Sequence, residues 1–265
     1  LFFPGNWNVA RSEITTDAVT SSNAGFFTLT LTDRGAGSGK LLLGGATIPF
    51  SRVHFDLSGH ALFTIIRPGA IPDLTVDLQL DFQDGTKSIV GAVQSSDDSF
   101  TSQLLGERAG GSAIFAAKHT FVIPGGSASD TTAPAGDGTG TIGVNKTGTL
   151  ALAGNLGDGT PISRGASLSS LGAWPVYVPL QGGRGLLIGW ANFTTDAQPY
   201  HIFGDHLRWI KAPAMVATDK FYRDGFNQDK LLRGAKYVAP PMRTNILAWS
   251  DGVVLIDGGN LTATI

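Results

Sequence analysis

The 265-residue chain contains no cysteine. That removes disulfides, thiolate metal sites and cysteine nucleophiles together. Charge is scarce as well: Asp, Glu, Lys and Arg make up 15% of the residues, and 19 basic side chains nearly balance 21 acidic ones. Such a balance creates no broad attraction to nucleic acid or to an anionic membrane, so neither partner is expected. Glutamate is confined to Glu13 and Glu107, and long helices want more Glu, Lys and Ala than this chain offers. No apolar run approaches the roughly eighteen residues of a membrane-spanning helix. The opening Leu1-Phe2-Phe3-Pro4 has neither an initiator Met nor the pattern of a signal peptide. It reads as a processed chain or as part of something longer.

What the chain has in quantity is glycine, 36 residues of it, with abundant Thr and Ser. Many short strands joined by tight turns have this composition. Together with the low charge it points to an exported protein, extracellular or on the cell surface. Phe27-Thr28-Leu29-Thr30-Leu31-Thr32 alternates apolar and polar residues, with β-branched Thr suited to the wet face of a half-buried strand. Asp33-Arg34-Gly35 marks the turn after it. The cleanest alternation runs from Leu74 to Phe82; Asp84-Gly85 follows as a hairpin signal, and Lys87 to Val93 reads as the returning strand. Further strands are expected at 48–55, 62–66, 120–123, 141–145, 149–156, 161–168, 174–180, 186–193 and 201–210. The spacing predicts an all-β, antiparallel meander, as two related barrel-like or sandwich-like units or as one large barrel. Alternation assigns each strand its faces but not its neighbours, so the choice stays open. Only 219–227 and 228–232 have the composition for a turn or two of helix.

The sequence repeats itself. A shift of 113 residues places Gly25 on Gly138, Gly35 on Gly148, Gly44 on Gly157 and Gly59 on Gly172 without a gap. Apolar positions follow, with Leu29 on Ile142, Leu31 on Val144, Leu43 on Leu156, Phe55 on Leu168 and Phe63 on Val176. A duplicated unit of several strands accounts for glycines and hydrophobic phase together. Pro124 to Gly138 lacks the apolar residues that would offset its ordering entropy and reads as a loop or linker. Gly110-Gly111-Ser112 is a second weak point. The expected division is a first β repeat unit over 1–109, a linker-containing segment over 110–138, and a second unit with a C-terminal extension over 139–265.

Gly25-Phe26-Phe27-Thr28-Leu29-Thr30-Leu31-Thr32 and Ser38-Gly39-Lys40-Leu41-Leu42-Leu43-Gly44-Gly45 resemble the first half of a duplicated β module. That module is found in large secreted or surface proteins of Verrucomicrobia-like bacteria. Asp158-Gly159-Thr160, Trp174 to Leu180, Gly185 to Trp190 and Tyr222 to Phe226 resemble its second half. The likeness spans most of the chain and brings no catalytic residues with it. It implies a module that begins a few residues before Leu1 and continues for more strands after Ile265.

Little in the sequence carries chemistry. Serines and five histidines are present, but no Gly-x-Ser-x-Gly elbow accompanies them. His201, Asp205 and His206 are the nearest approach to a metal cluster, yet on a strand His206 points away from the other two. Asp137-Gly138 and Asp158-Gly159 supply too few oxygens for calcium. A non-catalytic chain with no metal and no cofactor is therefore expected. Two sets of residues remain as candidates. Trp174, Tyr177, Trp190, Tyr200 and Trp209 cluster in the second half and are candidate rings for stacking on a glycan, or else core. Leu1, Phe2 and Phe3 at one end, and the strand-like segment from Gly259 through Leu261 to Ile265 at the other, are candidate assembly edges. The partner expected there is protein: further copies of this chain or the rest of a longer one.

Overall fold

The computed structural model describes residues 1–4, 18–82, 87–127, 129–196, 200–215, 221–244 and 251–253. They form two antiparallel eight-stranded sheets, each curled into a nearly closed barrel. The first holds β1 (Phe2–Phe3), β2 (Gly25–Leu31), β3 (Ala36–Leu43), β4 (Ala46–His54), β5 (His60–Ile65), β6 (Leu74–Leu80), β7 (Ser88–Ser95) and β8 (Thr101–Glu107). The second holds β9 (Ala117–Ile123), β10 (Gly138–Val144), β11 (Thr149–Asn155), β12 (Pro161–Ser167), β13 (Ala173–Leu180), β14 (Gly185–Phe193), β15 (Ile202–Lys211) and β16 (Phe226–Lys236). Strand order is β4-β3-β2-β1-β8-β7-β6-β5 in one and β12-β11-β10-β9-β16-β15-β14-β13 in the other. Two related barrel-like units are thus the architecture, and the single large barrel is set aside.

Alternation builds each interior. Leu78 lies opposite Gly91 and Val76 opposite Val93, so Leu74, Val76 and Leu78 turn inward and are fully buried, while Asp77 faces out. Glycines on the inward face leave room for rings. A Cβ on Gly25 would stand 2.4 Å from the Phe2 ring and one on Gly39 would stand 2.6 Å from Phe50, so large and small residues interdigitate. The second interior is packed by Trp174, Val176, Leu187, Ile202 and Trp209. It also takes in Lys230, 6% exposed, whose ammonium lies 5.9 Å from the Trp209 ring centroid. Burial lowers the Lys230 pKa, and the nearby Asp130 carboxylate opposes that shift.

Each barrel closes by setting its first strand between its second and its eighth. Phe2 pairs with Gly25 of β2 on one side and with Leu104 of β8 on the other, and β9 likewise joins β10 to β16. Leu1, Phe2 and Phe3 are therefore not a free assembly edge: they are 2%, 0% and 1% exposed. Their unbroken apolar run has a physical reason, since Phe2 enters the first barrel while Leu1 and Phe3 face the second. The segment from Gly259 to Ile265, with Leu261, lies outside the described residues, as does Asp84-Gly85.

The two barrels stay open at one seam each, β4 against β5 and β12 against β13. Proline stands on both. Pro49 in β4 pairs only with Lys40 of β3, and Pro175 and Pro179 in β13 pair only with β14. Lacking an N–H, each directs its nitrogen away from its single ladder and blunts the open edge. Phe50 and Phe63 pack across the first seam with ring centroids 5.2 Å apart.

The duplication is visible atom by atom in the turns. Gly35 and Gly148 both take the left-handed conformation, at φ 75° and 77°, and donate to Thr32 and Asn145 respectively. Phe55 then donates to the Gly35 carbonyl as Leu168 does to that of Gly148. Gly59 and Gly172 repeat the pairing one turn later. The first side chain of each later turn differs, yet Asp56 accepts from the Ser58 and His60 amides as Ser169 accepts from those of Leu171 and Ala173. Gly44 and Gly157 break the match. Gly44 and Gly45 form a two-residue hairpin between β3 and β4, whereas the β11–β12 turn is longer and its left-handed residue is Gly159. A longer β15–β16 connection then ends the common register.

The Gly-rich stretch after Ile123 does not separate the sheets. It joins β9 to β10 inside the second one, where Ala133 and Pro134 are buried. The chain crosses between sheets earlier, after Glu107 and before Ala117. A short 3-10 turn there, Ala113–Phe115, places Phe115 against Phe193 at 6.1 Å. Residues 228–232 are strand, not helix, because β16 is laddered to β15 and β9. Trp209→Ala is expected to lower unfolding stability by about 3–5 kcal/mol, read as a lower urea midpoint with the slope retained.

Candidate functional site

The outer faces of the two sheets meet. Tyr177, Ile188 and Trp190 from the second pack against Leu1, Phe3 and Val19 from the first in a common buried cluster, and Phe26 stacks on Tyr177 at 6.0 Å and 20°. Glycine allows the backbones to touch beside it, with a Cβ on Gly183 falling 2.4 Å from the Gly44 carbonyl oxygen. Burial pushes the Tyr177 hydroxyl up to about 12, with the Arg164 guanidinium, 5.9 Å from the ring, pulling the other way.

Next to this cluster lies a cleft of about 1180 Å³. One wall is β2 from Phe26 to Leu31, and the facing wall is the end of β8 at Gly106 and Glu107. Leu80, Phe82 and Ile89 form its floor, at the mouth of the first barrel, while Pro175 and Trp190 of the second sheet close it from outside. Leu31 is 40% and Phe82 67% exposed. Asp33, Asp81, Lys87 and Arg108 supply a rim of mixed sign. The lining is thus mainly apolar side chain and strand edge, suited to a ligand held by burial and main-chain hydrogen bonds.

The stacking candidates do not form a platform. Trp174 and Trp209, each 2% exposed, fill the second barrel; Tyr177 at 4% and Trp190 at 6% lie in the layer between the sheets. β13 and β14 are covered on both faces, so rings of either parity end up inside. Tyr200 is the exposed member of the five, and the Arg233 guanidinium sits 5.8 Å from its ring. The polar candidates are dispersed among separate partners. His206 pairs with Asp229 at 2.9 Å, Asp205 pairs with Arg233, and His201 accepts from the Lys236 amide. Asp158 faces Lys211 at 3.5 Å and Asp137 accepts from the Gly125 amide. Among the described residues no three His, Asp or Glu side chains are grouped to hold a metal ion, and no helix is long and apolar enough to cross a membrane.

No family model and no curated protein matches this chain. One solved structure is similar, that of a candidate outer membrane protein from Bacteroides fragilis, at 11% identity and a TM-score of 0.25. The match covers 85% of this chain and 93% of that one. At that score the likeness carries no argument about fold or role.

The cleft escaped the sequence reading because its residues come from eight strands and the turns between them. Phe82, an aromatic ending a clean alternation, was the nearest signal. A second feature also emerges from the fold alone. His119 points into the second barrel opposite Ile142, is 4% exposed, and stands edge-on to Phe193 at 5.4 Å. Burial lowers its pKa first, and the charges of His201 and Lys236 add to the shift. Both folded and unfolded chains hold it neutral above about pH 6.5. Below that pH the unfolded chain takes up the proton first, so stability falls on acidification until the folded pKa is passed. His119→Phe is expected to flatten this part of a melting-temperature profile measured between neutral and acidic pH.

Proposed function

We propose that this protein is a non-catalytic structural or interaction module that acts outside the cell and binds polypeptide through the cleft between its two barrels. The observation that carries the reading is the cleft's lining: apolar side chains make up most of it, with Asp33, Asp81, Lys87 and Arg108 around them and Glu107 in one wall. Such a surface holds a chain by burial and hydrogen bonds and offers no convergent set of reacting groups. The low charge and the turn-rich, cysteine-free composition support a place at the cell surface. The likeness to modules of large bacterial surface proteins supports it too, and makes neighbouring modules or further copies the natural source of the bound chain.

Glycan binding is the weaker reading, since Tyr200 is the exposed ring of the five. A displayed peptide library and a glycan array separate the two. The expected result is selection of apolar peptides, at least tenfold weakened in a Leu31→Asp, Phe82→Asp double variant (about 1.4 kcal/mol) that melts as the parent does. Both residues are exposed, so the fold tolerates the change. Glycan binding lost on Tyr200→Ala, or turnover of a substrate by the purified protein, would reverse the conclusion.

A further inference from the structure

We infer that the joint between β9 and β16, which closes the second barrel, is an acid-sensitive latch: a proton on His119 opens that joint locally while the remaining strands stay folded. β9 is laddered to β10 over seven residues, from Ala117 to Ile123, but to β16 over four, with Val122 to His119 set against Arg233 to Lys236. His119 and Lys236 are the last pair of the shorter ladder, and beyond them one further bond runs from the Tyr237 amide to the Lys118 carbonyl. The closure therefore ends on two basic side chains placed directly opposite each other on one face. None of these residues lines the cleft, so the latch is independent of the polypeptide-binding reading.

His119 has no accommodation for a proton. It is 4% exposed, Phe193 of β14 stands edge-on to it at 5.4 Å, and Ile142 of β10 lies opposite. Its Nδ1 is buried without a hydrogen-bond partner among the described residues. The titratable groups acting on it are both basic: the His201 ring, its centroid 6.3 Å away at the entrance to β15, and Lys236 of β16. Among the described residues no carboxylate is ion-paired with any of the three. His201 is tied to the same joint, since its Nδ1 accepts from the Lys236 amide at 3.2 Å and its own amide donates to the Gly234 carbonyl. That acceptor role puts the His201 proton on Nε2 and leaves neither of its ring nitrogens free for a metal ion beside His119. A second proton on His201 would turn Nδ1 into a donor facing a donor and remove its bond to β16.

Burial first, and then the charges of His201 and Lys236, hold the closed-state pKa of His119 below its ordinary value. In the opened joint it returns to about 6.5. Above that pH His119 is neutral in both forms. Below it the open form takes up the proton first, so opening grows about tenfold per pH unit until the closed-state pKa is passed.

Amide exchange of the intact chain at about pH 7.5 and about pH 5.5, on either side of the ordinary histidine pKa and corrected for the intrinsic pH dependence of exchange, tests the latch. The Lys236 and Tyr237 amides are expected to lose about tenfold in protection at the lower pH. The Phe55 amide, bonded to Gly35 in the first barrel, and the Leu168 amide, bonded to Gly148 in the second, keep theirs. His119→Phe is expected to abolish the loss at Tyr237, and Lys236→Gln, a change at an exposed position, to reduce it about twofold or more. Equal loss at all four amides would overturn the latch in favour of whole-chain unfolding, and unchanged protection at Tyr237 would overturn it outright. So would a folded His119→Phe chain, or a Lys236→Gln chain, that keeps the full acid response.

Discussion

Closure of each sheet depends on one short strand placed between two others. Without β9 between β10 and β16, the second barrel would carry two unpaired edges and an opened interior; its seven-residue ladder removes both. β1 performs the same closure with two residues, helped by the depth at which they sit. Phe2 is held by the hollow that Gly25 leaves, and Leu1 and Phe3 are held by the neighbouring barrel. A strand buried on both faces loses its polar positions, and the three apolar residues in a row are the consequence.

That second burial face ties the two barrels together. A single barrel of this kind has a wet outside, and its outward residues are polar where they meet water, as Thr28, Thr30 and Asp77 are. Where the barrels touch, outward positions become Phe26, Tyr177, Ile188 and Trp190 instead. The cleft adjoins the same contact, between β2 and the end of β8 on the first barrel and Pro175 and Trp190 on the second.

The duplicated halves have kept their turns more strictly than their side chains. Asp56 and Ser169, or Thr32 and Asn145, are chemically different, yet each offers an oxygen to the same amides of the same turn. A left-handed residue fixes the turn, and glycine carries little strain there. The side chain before it needs only an acceptor within reach. Divergence has gone into loop lengths, at β11–β12 and β15–β16, where the chain runs over the surface and added length is tolerated.

The sequence alone determined the all-β class, most strand positions and the repeat, because those are local: period-two alternation and glycine-bearing turns act over a few neighbouring residues. It also marked Leu1-Phe2-Phe3 and the Trp and Tyr residues of β13 to β15 as unusual. What these residues do was decided by tertiary structure. Trp190 and Trp209 look alike in sequence, and only the position of the other barrel puts one between the sheets and the other inside one. The Gly-rich stretch after Ile123 resembled a linker because its composition is that of any surface loop; its place within the second sheet follows from β9 pairing with β16, more than a hundred residues away in the chain. The cleft is the extreme case. It is formed by strand edges, and whether an edge is paired depends on which distant strand arrives beside it, a fact that no local pattern of side chains encodes.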